Sequence, residues 1–128
     1  MDTDAHRWKT EITEAVIGSA FEVANVLGAG FLEKVYERAL VHELALRGIP
    51  AKSQVKFPVR YKDRYIGEYM ADLVVAERVV VELKCVDRLC AEHLAQCLNY
   101  LKASRLELGL VINFQRSKIE WKRVLLDQ

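Results

Sequence analysis

The chain has 128 residues and a net charge of +1, and 52% of its residues are hydrophobic. This length predicts one domain, residues 1–128, with enough apolar residues to bury a core. No apolar run approaches the roughly 20 residues of a membrane span, and residues 1–9 lack the apolar stretch of a secretory signal. Three cysteines, an odd number, argue against a disulfide framework. We therefore expect a cytoplasmic protein without a membrane partner.

Hydrophobic periodicity predicts two helices in the first part of the chain. Apolar residues recur at helical spacing over residues 8–27, and the glycines within residues 28–30 interrupt that pattern. Residues 31–47 predict a second helix, because Gly48 and Pro50 follow it and would end it.

From residue 53 the hydrophobic period changes to two, which is typical of strands. Pro58 lacks a backbone N–H, so the strand that contains it is expected at an edge of the sheet. The later predicted elements are strands at residues 65–75 and 79–85, a helix at 88–104, and strands at 108–114 and 118–124. This order predicts an α/β fold with a mixed sheet.

Three charged residues interrupt predicted strands that are otherwise apolar. Glu82 and Lys84 project from the same strand face because they are two residues apart, and a tight turn would bring Asp72 close to Glu82. Two carboxylates on neighbouring strands can hold Mg²⁺. A lysine beside them can orient or deprotonate the attacking water. The alternative is a buried Glu–Lys ion pair that supports the sheet, and this short pattern alone leaves both interpretations open.

The second predicted helix adds an acidic residue on an apolar face. At about 100° per residue, Glu33 falls on the face that Leu40 and Leu44 define. We expect its carboxylate to turn inward toward a cation, although a first-turn glutamate can also simply complement the helix dipole. Glu37, one turn later, is expected at the margin of that face.

The third predicted helix carries a polar stripe beside its apolar one. His93, Gln96 and Tyr100 lie on this stripe, and Gln96 and Tyr100, one turn apart, could hydrogen-bond a lysine, a water or a phosphate. An ordinary solvated helix surface is the more common explanation of such a stripe.

Cysteines and basic residues offer two further interpretations. The spacing of Cys85, Cys90, His93 and Cys97 is not a usual zinc pattern, so Cys90 and Cys97 are expected to pack in the core. Some basic residues could contact phosphates, but a solvated charged face is favoured. The basic residues cluster at Lys52, Lys56, Arg60, Lys62 and Arg64, and at Arg116, Lys118, Lys122 and Arg123.

These motifs together resemble the GxxExxY proteins, a branch of the PD-(D/E)xK nuclease superfamily. Residues 30–36, Gly-Phe-Leu-Glu-Lys-Val-Tyr, match the G-x-x-E-x-x-Y signature, and Gln96 and Tyr100 match the Q-x-x-x-Y motif of RecB-like nucleases. The resemblance also covers the Asp72 strand, residues 82–84 and the strand at 110–114. It implies a restriction-endonuclease-like αβββαβ core, with an added N-terminal helix and an added C-terminal strand.

The resemblance also implies an active site. Asp72 and Glu82 would bind Mg²⁺ or Mn²⁺ with the Leu83 carbonyl, and Lys84 would position the water. The remaining site residues would be Glu33 as the helix carboxylate and, for substrate binding or support, Gln96, Tyr100, Tyr36, Glu37 and His93.

The implied function is metal-dependent hydrolysis of phosphodiester bonds, with DNA as the expected partner, in repair, recombination or defence. A catalytically silent module of the same fold that binds nucleic acid or protein is the alternative. A homodimer stays open, because a nuclease this small often needs a second copy to grip a duplex.

Overall fold

The elements follow the predicted order. The computed structural model describes residues 4–126, so residues 1–3 of the polar N-terminal segment and residues 127–128 lie outside the description. The elements are α1 (Asp4–Leu27), α2 (Glu33–Leu46), β1 (Ala51–Tyr61), β2 (Arg64–Val75), β3 (Val79–Lys84), α3 (Ala91–Ser104), β4 (Leu108–Asn113) and β5 (Glu120–Leu125). None of the helices within residues 4–126 combines the length and the apolar character needed to cross a membrane.

Helix α1 starts before residue 8, where the sequence pattern placed its beginning. Trp8 packs against the core, and the Arg78 guanidinium lies 3.7 Å from its ring centroid. These contacts anchor the first turns of the helix, which hydrophobic periodicity alone did not indicate.

The five strands form one mixed sheet in the order β1-β2-β3-β4-β5. The pair β3–β4 is parallel, and the other neighbouring pairs are antiparallel. Strand β1 lies at an edge, as Pro58 predicted. Helix α3 provides the connection that the parallel pair requires.

The two faces of the sheet are covered by different helices. Leu73, Val81 and Leu83 pack in the cluster that contains the buried residues of α1 and α2, whereas Val80 packs with Leu101 of α3. Strand alternation produces this division, so Glu82 and Lys84 emerge on the α3 side of β3.

Helix α3 lies very close to β4. A Cβ added at Gly109 would stand 2.5 Å from the Sγ of Cys97, which leaves room only for glycine there. This close packing fixes the height of α3 above the sheet, and therefore the position of the polar stripe on that helix.

Candidate active site

Strands β2 and β3 stop pairing at the position of Asp72 and Glu82. The last ladder pair is Leu73 with Val81. Beyond it, the Asp72 N–H donates to Glu82 Oε2 at 3.0 Å, and the Leu83 N–H donates to Asp72 Oδ2 at 2.7 Å. Each carboxylate thus satisfies a backbone group of the other strand, and the exchange brings the two acids together.

Lys84 completes this group from the same face of β3. Its Nζ donates a hydrogen bond to Gln96 Oε1 at 3.2 Å, which links the strand to α3. The structure therefore brings together four residues that the sequence pattern singled out: Asp72, Glu82, Lys84 and Gln96.

The two carboxylates occupy an environment that disfavours two negative charges. Burial, followed by the negative charge of Asp72, raises the pKa of Glu82 to about 8. Burial also raises the pKa of Asp72, and the charges of Glu37 and Glu33 raise it further. A cation between the acids would relieve both effects.

The predicted inward orientation of Glu33 is wrong. Glu33 is exposed, whereas Glu37 is 5% exposed and accepts hydrogen bonds from Lys34 Nζ and Gln54 Nε2. Glu33 has the helical angle of the buried face, but it is the first residue of α2, and its side chain is exposed at that helix end. Its charge still acts on Asp72 and Glu82, so it stands at the mouth of the site.

Gln54 belongs to the site, although its sequence context gave no indication of this. It stands opposite Asp72, between the ladder pairs of its two neighbours in β1, and its backbone has a φ of 55°. This left-handed conformation is uncommon for a residue other than glycine. Its side chain reaches Glu37 at 2.7 Å, so Gln54 ties the edge strand to the buried acid of α2.

Comparison with known protein families assigns the chain. A model of the PD-(D/E)XK nuclease superfamily matches residues 10–124. The chain belongs to this superfamily. The matched region includes all the site residues named above, and members of the superfamily are generally nucleases that use divalent metals.

The fold comparison agrees with this assignment. The solved structure of SSO0001 matches with a TM-score of 0.58 and 18% identity, over 95% of this chain and 61% of SSO0001. The restriction-endonuclease-like fold expected from the sequence is thereby confirmed. The chain spans about three fifths of the length of that protein. A search of the curated proteins found no match.

Tyr36 and His93, two residues of the predicted site, form hydrogen bonds that stabilise the fold. The Tyr36 hydroxyl donates to Gly28 O at 2.7 Å and accepts from the Phe31 N–H at 3.2 Å, while its ring stacks on Phe114. Tyr36 therefore closes the α1–α2 connection from inside the core. His93 Nδ1 accepts the Cys90 N–H at 3.0 Å and caps the start of α3.

Tyr100 lies beside the carboxylates and stacks on Tyr69, with 4.0 Å between the ring centroids. The Tyr69 hydroxyl donates to Tyr100 O at 2.8 Å, which fixes the two rings against each other. Burial, and then the charges of Glu82 and Asp72, raise the pKa of Tyr100. The aromatic stack thus forms one wall next to the site.

The cysteines divide between core and surface. Cys97 is fully buried as predicted, but Cys90 is exposed, so its predicted core position is wrong. Cys90 immediately precedes α3, where it lies at the helix end rather than beneath the helix. Within residues 4–126, no group of three or more His, Cys, Asp or Glu side chains is arranged to hold a metal ion.

Proposed function

We propose that this protein is a cytoplasmic nuclease of the GxxExxY branch that hydrolyses phosphodiester bonds of DNA with Mg²⁺ or Mn²⁺, in repair, recombination or defence. The observation that carries the proposal is the pairing of the Asp72 and Glu82 carboxylates where β2 and β3 separate, with Lys84 beside Glu82. A sheet needs no acid pair at this position, whereas metal-assisted hydrolysis does.

The donor atoms fit a hard divalent cation. Oδ2 of Asp72 and Oε2 of Glu82 accept backbone hydrogen bonds, whereas Oδ1 of Asp72 and Oε1 of Glu82 accept none within residues 4–126. Asp72 and Glu82 would hold the ion, with the Leu83 carbonyl as a further oxygen ligand and Glu33 at the mouth. When bound, Mg²⁺ or Mn²⁺ lowers the pKa of a water and polarises the phosphate.

The remaining residues position the reacting groups. The Lys84 ammonium can orient the attacking water and stabilise charge that develops on the phosphate. The Oε1 of Gln96 accepts a hydrogen bond from that ammonium, which limits the rotation of the lysine side chain. Glu37 of α2 and Gln54 of β1 are hydrogen-bonded to each other beside the acid pair. Tyr100 of α3 lines the adjacent groove.

A cleavage assay tests the proposal. Purified protein is incubated with Mn²⁺ and linear, nicked or branched DNA, with an EDTA control and with the variant Asp72→Asn. We expect cleavage that requires both the metal and Asp72. Cleavage that persists in EDTA, or no cleavage of any substrate by the wild-type protein, would contradict it.

A catalytically silent binding module is the second candidate. It is favoured by the absence, within residues 4–126, of a third acidic, His or Cys ligand already placed beside the acid pair. Such a protein would bind DNA or a protein partner without cutting it. Light scattering with and without duplex DNA would also show whether two copies assemble on a duplex.

A further inference from the structure

A basic groove lies between α3 and β1, next to the candidate active site. Its volume is about 710 Å³, and its lining includes Arg60 of β1, and Tyr100, Lys102 and Arg105 at the end of α3. The lining contains three basic residues and no acidic one. An anionic ligand therefore fits this groove better than a neutral or cationic one.

The groove continues from the active site along α3. Gln96 holds Lys84, Tyr100 follows one turn later on the same side, and Lys102 and Arg105 follow at the helix end. At 1.5 Å per residue, Gln96 and Arg105 are separated by roughly 14 Å along the axis. A chain molecule that passes Lys84 can thus reach the basic end of the groove.

The three cations of the groove are not neutralised by the protein. Within residues 4–126, the side chains of Arg60, Lys102 and Arg105 form no ion pair. By contrast, Lys52 and Lys56 of the same edge strand lie 3.8 and 3.9 Å from glutamates. The charges of the groove are left for a ligand.

Arg105 stands where the backbone favours a different residue. It ends α3 with a φ of 63°, a left-handed helix cap at which glycine is the common residue. An arginine there carries a conformational cost that glycine would avoid, and its side chain forms no ion pair within residues 4–126. Binding of a phosphate by the Arg105 guanidinium would explain why arginine occupies this position.

We propose that the groove binds the sugar–phosphate backbone of a single nucleic-acid strand on one side of the scissile phosphate. The inference rests on the proposed nuclease function for the position of that phosphate. Arg60, Lys102 and Arg105 contact up to three phosphates, one for each cation. The Tyr69–Tyr100 stack provides an aromatic wall on which a base can lie.

Binding without cleavage tests this groove. The affinity for a fluorescently labelled single-stranded DNA is measured by anisotropy in EDTA, at several salt concentrations, for the wild-type protein and for Lys102→Ala/Arg105→Gly. The matched control is Lys122→Ala/Arg123→Ala, which removes two exposed charges from β5 at the opposite edge of the sheet.

We expect the groove variant to bind roughly tenfold more weakly and to lose about 1.4 from the slope of log K against log salt, since each phosphate contact contributes about 0.7. The control should keep both values near those of the wild type. The groove variant should unfold no earlier than the wild type, because glycine suits position 105.

The outcomes separate the groove from the nuclease activity. Equal binding by the groove variant and the control, or no binding by the wild-type protein, overturns the groove assignment even where the wild type cleaves DNA. Groove-dependent binding by a wild-type protein that does not cleave supports the groove and contradicts the nuclease proposal.

Discussion

The Nζ of Lys84 donates a hydrogen bond to the Oε1 of Gln96 at 3.2 Å, so a side chain of β3 is held by a side chain of α3. The two residues are 12 positions apart in the chain, and the height of α3 above the sheet determines whether they meet. Within residues 4–126 Lys84 forms no salt bridge, and its positive charge partly offsets the rise in the pKa of Glu82.

Lys84→Ala should abolish cleavage and preserve the fold. Loss of a group that orients the water and stabilises developing charge typically costs about 10² to 10⁴ in rate. Circular dichroism and thermal unfolding should match the wild type, because Lys84 is only half-buried. Lys122→Ala is the control for removal of one lysine. A Lys84→Ala variant that cut DNA at the wild-type rate would show that its assigned role is wrong.

Gln96→Ala should lower kcat with little change in KM, because Lys84 keeps its charge but loses its restraint. Gln96→Glu keeps an acceptor oxygen at the same reach and should restore most of the activity. Steady-state kinetics with Mn²⁺ measure both variants. A purely structural Gln96 predicts instead that unfolding temperature and activity fall together in both.

Glu82 should make the metal-free protein less stable as the pH rises. Its pKa is raised from 4.5 to about 8 in the folded protein, so between these values the folded state binds a proton that the unfolded chain has lost. The free energy of unfolding therefore falls from pH 4.5 to about 8 and then levels off with respect to this group. Urea unfolding in EDTA across this window measures the fall, and Glu82→Gln should flatten it. A stability that rises with pH in the wild type, or an equally steep fall in the variant, would refute this assignment.

Tyr36→Phe should destabilise the protein by about 1 to 3 kcal/mol, since it leaves Gly28 O and the Phe31 N–H without their partner. The ring stack on Phe114 should persist. Thermal or urea unfolding measures the change, with Tyr61→Phe at an exposed position as the control. If the loss is confined to DNA cleavage and stability is unchanged, Tyr36 acts in the site rather than in the core.

Glu37→Ala should lower stability, whereas Glu33→Ala should weaken metal binding. Glu37 is buried and holds Gln54, so its loss should cost about 1 to 3 kcal/mol of stability. Glu33 is exposed at the mouth of the site, so its loss should change stability by less than about 0.5 kcal/mol and weaken Mn²⁺ binding by roughly tenfold. Urea unfolding and calorimetric Mn²⁺ titration measure the two quantities. The reverse pattern would exchange the two assignments.

Local patterns in the chain predicted most of the fold. The change from a helical to a two-residue period predicted the positions of the helices and strands. Pro58 predicted that β1 lies at an edge, because proline has no N–H to donate to a neighbouring strand. The same two-residue period put Glu82 and Lys84 on one face of β3. These features depend on neighbours within a few residues, which the sequence displays directly.

By itself, then, the sequence determined the order of the elements, the shared face of Glu82 and Lys84, and the residue types of the candidate site. Only the tertiary structure decided that Glu37 is buried and Glu33 exposed, that Gln54 adopts a left-handed backbone opposite Asp72, and that Arg60 and Arg105 line one groove. These outcomes depend on which residues pack against a helix end or lie on the neighbouring strand. Those residues are distant in the chain, so local sequence patterns do not reveal them.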